Sequence, residues 1–256
     1  MRKIICIANQ KGGVGKTTTA INLSASLAAA ERKTLLIDCD SQGNATSGMG
    51  IDRDMISKQN LYHALIGKVS LKEVIVDTQL PHLDMAPSNQ DLIGIEVEFI
   101  HLEEREKKLR SLLHHLDTDY DFIIIDCPPS LGFLTVNALV ASDYLIIPLQ
   151  CEYFAMEGLG YLLNTVRLIK ARLNPALTLG GILLTMFDSR NLLSHRVSED
   201  VRSHFGKSVF KTVIPRNVRL SESPSHGLPI ILYDIKSRGA ISYMELTREI
   251  LTNGRI

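Results

Sequence analysis

This 256-residue chain has no uninterrupted apolar run long enough to span a membrane. It also has no internal repeat, no low-complexity tract and no linker long enough to divide it. These absences predict one soluble domain over residues 1–256 with a sizeable core. The four cysteines, Cys6, Cys39, Cys127 and Cys151, form no C-x-x-C pair. Each lies in or at the end of an apolar run, which predicts buried reduced thiols rather than disulfides or an iron–sulfur cluster. The eight histidines show no metal-ligand spacing. A secretory signal is missing too: Met1-Arg2-Lys3 is followed by only five apolar residues before Asn9. The expected location is cytoplasmic. Net charge is also lacking, with 28 Lys/Arg against 28 Asp/Glu. That balance hides an asymmetry: residues 187–256 hold 11 Lys/Arg and 7 Asp/Glu, so the remainder is net acidic.

What is present begins with Lys11-Gly12-Gly13-Val14-Gly15-Lys16-Thr17-Thr18, directly after the apolar run Ile4–Ala8. The match to G-x-x-x-x-G-K-[ST] is complete, a strand precedes it and a helix-forming stretch follows. Glycines let the backbone approach a polyphosphate closely, and the helix start turns its N–H groups toward the anion. Lys16 is expected at the outer phosphates and the Thr17 hydroxyl at Mg²⁺. The ligand implied is a nucleoside triphosphate.

Two further apolar runs end in carboxylates. Thr34–Ile37 leads into Asp38-Cys39-Asp40, and Phe122–Ile125 leads into Asp126-Cys127-Pro128-Pro129. In open parallel sheets ligands bind beyond the carboxyl ends of the strands, so the three segments converge. Asp126 has the form of a Walker B residue holding Mg²⁺. Asp40 is placed to orient the attacking water, and Asp38 to support the metal shell. Strand-like runs at 3–8, 34–38, 83–86, 121–126, 143–148, 179–185 and 209–214 alternate with helix-like segments at 16–30, 101–116, 157–172, 193–205 and 238–252. This pattern predicts an α/β fold: a predominantly parallel twisted sheet with helices on both faces. Ser88-Asn89-Gln90-Asp91 reads as a helix N-cap with its box partner. Glu103–Lys108 reads as a solvated helix face with i,i+4 pairing.

The loop, Leu36-Ile37-Asp38-Cys39-Asp40-Ser41-Gln42-Gly43-Asn44-Ala45-Thr46 and Ile123-Ile124-Ile125-Asp126-Cys127-Pro128-Pro129-Ser130 together resemble the deviant Walker A, A′ and B motifs of the ParA/Soj family of partitioning ATPases. Pro148–Gly158 and Ile214–Glu222 resemble the same family, and the similarity runs through essentially the whole chain. The resemblance implies a Mg²⁺-dependent ATPase whose loop residues 11–18 bind the nucleotide, with Lys11, Lys16 and Asp40 catalytic. Lys11 is implied to reach the nucleotide of a second copy in an ATP-dependent homodimer. Pro215 and Asn217 are implied at the base. Arg190, Arg216 and Arg219, with Lys207 and Lys211, are implied in sequence-independent binding of double-stranded DNA on the nucleoid. A ParB/Spo0J-like centromere-binding protein is the implied partner. With the first strand starting at residue 3, an N-terminal helix-turn-helix domain is not expected. A MinD-like membrane-surface ATPase is the alternative, but 243–256 reads as a core-packing helix rather than a basic amphipathic anchor. A P-loop amidoligase ranks last because no extra substrate domain is visible.

Overall fold

The computed structural model describes residues 2–52, 54–152, 155–252, 254 and 256. Seven strands form one sheet: β1 Lys3–Ile7, β2 Thr34–Asp38, β3 Val76–Asp77, β4 Leu83–Ala86, β5 Phe122–Asp126, β6 Tyr144–Gln150 and β7 Thr178–Thr185. Their order is β3-β4-β2-β5-β1-β6-β7. All neighbours are parallel except the short edge strand β3, which is antiparallel to β4. Every residue of β2 and β5 is buried, as expected of parallel strands covered on both faces. Two apolar clusters, one on each face, receive alternate strand residues: Cys6, Leu35 and Ile123 on one, Ile5, Leu36 and Ile124 on the other.

Helix Lys16–Ala29 is buried along most of its length and packs against the C-terminal helix Arg238–Thr252. Thr19 and Tyr243 share a hydroxyl hydrogen bond of 3.1 Å between them. The C-terminal helix buries Tyr243, Leu246 and Ile250. It is therefore a core helix, as read from sequence. Among the described residues, no helix is long and apolar enough to cross a membrane.

Four expectations change. Residues 209–214 are not a strand: beside β7 they make the isolated bridge Ile182↔Val209 and separate bonds from Phe210 N to Ile182 O and from Ile214 N to Leu184 O. The N–H groups of Lys211 and Thr212 donate to the Glu249 carboxylate instead of to a neighbouring strand, at 2.8 and 2.9 Å. The Phe210 ring meanwhile fills the space over Gly181, where a Cβ would come within 2.4 Å of it. The segment 101–116 shortens to a 3-10 turn Arg105–Lys107 and a helix Lys108–His114. Glu104 has φ +52 and starts the chain afresh there. The charged run pairs as Lys107–Glu104 and Arg105–Glu106, without i,i+4 pairs. Asn89, not Ser88, caps the 3-10 turn that follows, accepting from Asp91 N. The two-residue β3 gave no sequence signal.

Candidate functional site

The ends of β1, β2 and β5 are adjacent by register: Ile7 sits opposite Asp126, and Asp126 opposite Asp38. The loop leaving β1 turns through Gly13 (φ +72) and Gly15 (φ +87), conformations that favour glycine. Gly15 opens helix Lys16–Ala29. Asn9 anchors the loop start: its Oδ1 accepts from Lys11 N at 3.0 Å, and its Nδ2 donates to Pro148 O on β6 at 2.8 Å. From β7, the Thr185 hydroxyl donates to Val14 O at 2.8 Å. Sequence motifs did not single out Asn9 or Thr185, because each is identified only by the strand it bridges to.

A cavity of about 540 Å³ opens over this loop. Gly12, Gly13, Gly15, Lys16, Thr17 and Thr18 form one side and Asp40 another. Its far wall comes from Ser47–Gly48 and Ser223–Ser225. Those two segments meet behind the wall at Gly50 (φ +74) and Gly227 (φ +64), where a Cβ on Gly227 would lie 2.6 Å from Gly50 Cα. A second cavity of about 520 Å³ shares Gly15, Thr18, Met186 and Pro224 with the first. Pro215 and Asn217 line it. Asn217 is also occupied locally, capping helix Val218–Glu222 by accepting from Leu220 N.

Lys16 is only 6% exposed. Its ammonium donates to Lys11 O at 2.9 Å, a main-chain acceptor that an anion can replace. Burial lowers its pKa, and the Asp126 carboxylate pulls back against that. Asp126 is fully buried, and neither of its oxygens has a partner of normal hydrogen-bond geometry among the described residues. Burial first, then the Asp38 charge, raises its pKa well above the ordinary carboxylate range, while the nearby Thr17 hydroxyl opposes the rise. An orphaned buried carboxylate beside a hydroxyl is what a magnesium site needs when nucleotide phosphates and water supply the other oxygens. Thr17 and Asp126 therefore fit the group.

Asp38 is equally buried but fully used. Its Oδ1 accepts from Asp40 N at 3.1 Å, and its Oδ2 from Thr46 N and the Thr46 hydroxyl, both at 2.8 Å. Burial pushes its pKa up to about 6, and the Thr46 and Asp40 bonds hold it down. In this structure Asp38 folds the loop 40–46 through these bonds. The Thr46 hydroxyl also accepts from Ser88 N, and the Ser88 hydroxyl donates to Asp40 O at 2.7 Å. Ser88 thus positions Asp40, a role its sequence reading missed. Asp40 keeps one carboxylate oxygen on Gln42 N at 3.0 Å and lines the cavity.

Lys11 lines neither cavity. Its side chain is 44% exposed and forms an ion pair with Glu152, at the exit of β6. Tyr153 and Phe154, part of the segment resembling the ParA/Soj family, lie outside the described residues.

The predicted basic residues separate. Arg190, Lys211 and Arg216 line one open cavity of about 950 Å³, joined by Arg238, which sequence reading overlooked. Arg219 and Lys207 do not line it. Arg190 is 88% exposed and its guanidinium grips Asp188 in two bonds of 3.1 and 3.2 Å. Arg219 pairs with Glu222 at 2.9 Å and Asp234 at 3.6 Å. Lys207 sits exposed on the 3-10 turn Gly206–Ser208.

A family profile described as an AAA domain matches residues 2–179. The chain is 58% identical over 249 residues to the chromosome partitioning protein ParA of Myxococcus xanthus, covering 97% of this chain and 88% of that one. It is 53% identical over 254 residues to the sporulation initiation inhibitor protein Soj of Bacillus subtilis, covering 99% and 100%. Among solved structures, cobyrinic acid a,c-diamide synthase from Mycobacterium smegmatis, with bound ADP and magnesium, matches with a TM-score of 0.86 at 38% identity, over 98% of this chain and 94% of that chain. The loop, the paired strand-end carboxylates and these similarities lead to one assignment: the chain belongs to the ParA/Soj family of deviant Walker A partitioning ATPases.

Proposed function

We propose that this ATPase drives DNA partitioning through an ATP-sandwich homodimer that binds DNA without regard to sequence. A ParB-type partner stimulates hydrolysis and so releases the DNA. The observation that carries this reading is the placement of Lys11: a cation on the phosphate loop that stays outside the cavity its own loop forms. A residue so placed is available to a second copy. Lys16 and the loop N–H groups hold the phosphates within one subunit. Asp40, fixed through Ser88 and Gln42, orients the attacking water. Thr17 and Asp126 would hold the metal ion, which would supply neutralisation of the charge that builds on the phosphates. Lys11 from the partner adds a cation only in the assembled dimer. The cavity lined by Arg190, Lys211, Arg216 and Arg238 supplies the basic surface, doubled by dimerisation and acting on the nucleoid.

Sedimentation tests the core of this reading. Wild type is expected to be monomeric alone and dimeric with magnesium and ATP, while Lys11→Ala binds ATP but stays monomeric. A normal ATP dimer from Lys11→Ala would sink the trans role.

A further inference from the structure

Two polar contacts hold the Lys11 backbone, and a third holds its charge. Its N–H is held by Asn9 and its carbonyl by the Lys16 ammonium. Asn9 also ties the loop to Pro148 of β6, the strand from whose end Glu152 projects. The remaining variable is the side chain, and Glu152 takes it. Glu152 also lines the second cavity, together with Thr18 and Asn217. The residue that claims Lys11 in the free subunit therefore stands at the border of the nucleotide site.

We propose that Glu152 is a positioning residue that latches Lys11 within its own subunit, so that each dimer forms only by exchanging two Lys11–Glu152 pairs for contacts across the interface. The inference rests on the dimer reading above. A polyphosphate carries more negative charge than one carboxylate, so a nucleotide facing Lys11 outcompetes Glu152 where a bare subunit surface does not. The latch is half-exposed, at 44% and 46% for its two side chains, and so it biases rather than blocks. An exposed pair of this kind is worth roughly a 1.5- to 5-fold shift in population. Two pairs per dimer make that about 2- to 25-fold in the dimer dissociation constant.

The test compares wild type with Glu152→Gln by sedimentation in magnesium and a non-hydrolysable ATP analogue. Glu152→Gln is expected to dimerise at about 2- to 25-fold lower protein concentration, with Glu152→Asp closer to wild type. A second readout uses the nucleotide-free monomer. Brief acylation followed by mass spectrometry should show Lys11 labelled faster in Glu152→Gln than in wild type, relative to the other lysines. Unchanged Lys11 labelling, or a dimer no tighter than wild type while wild type itself dimerises, overturns the latch. If wild type fails to dimerise at all, the dimer reading fails, and the labelling result alone then decides whether the latch exists.

Discussion

The nucleotide end of the molecule and its basic C-terminal surface are built on opposite plans. At the first, charged groups are few, buried and held by strands: Lys16, Asp38, Asp40 and Asp126 are all 6% exposed or less. At the second, arginines and lysines are exposed, spread over loops and helix starts, and two of them are already paired with neighbouring carboxylates. Burial makes each group of the first region consequential, because an unmet charge there has no water to fall back on. In the proposed DNA binding the second region works by sum, where each contact is weak and replaceable. Chemistry that must happen at one atom demands the first plan, and reversible grip on a uniform polyanion demands the second.

The contrast can be broken most directly at Asp40. Asp40→Ala is expected to lower ATP turnover by about 10²- to 10⁴-fold and leave a long-lived ATP dimer. Phosphate release and sedimentation check this, and turnover within tenfold of wild type would refute the assigned role. Asp126→Asn gives the next largest effect, and its sign depends on pH. A carboxyl whose folded pKa is raised contributes stability at low pH and loses it as pH climbs past its unfolded value. The nucleotide-free Asn variant should therefore melt above wild type at pH 7.5, by about 2–4 °C for each kcal/mol relieved, and the gap should narrow toward pH 5. With magnesium and ATP the order reverses, because the variant has lost the carboxylate that the ion rewards. A gap that ignores pH would contradict the buried-charge account. The smallest effect belongs to the surface. Arg216→Ala should reduce the slope of log K against log salt by about 1.8 for two copies per dimer. Arg190→Ala should reduce it less, because Asp188 already neutralises that guanidinium. Loss of all DNA binding from either single change would collapse the distinction between the two regions.

The same contrast governs what the sequence reveals. The loop and the strand-end carboxylates were legible because each is a contiguous motif whose meaning is set by its own strand. Ser88, Thr46, Asn9 and Glu152 were silent, since their roles exist only once β2 stands beside β4 and β1 beside β6. The sequence places Asp38 in support of the metal shell, and its bonds to Thr46 and Asp40 become visible only in the folded chain. Residues 209–214 carry an apolar strand pattern, but the distant carboxylate of Glu249 captures the Lys211 and Thr212 N–H groups and interrupts the pairing with β7. Arg238 lay beyond the run of basic residues that drew attention, yet shares the cavity of Arg190 and Arg216.

The meeting of Gly50 and Gly227 has a consequence for which sequences this fold admits. Each position is barred to a side chain by the main chain of the other. In sequence space the two are a single constraint rather than two: a substitution at one cannot be rescued by shrinking the other, which is already as small as a residue can be. Drift in either loop is therefore confined to changes that keep the two backbones touching. The back of the phosphate cavity inherits that confinement, although neither glycine lines it.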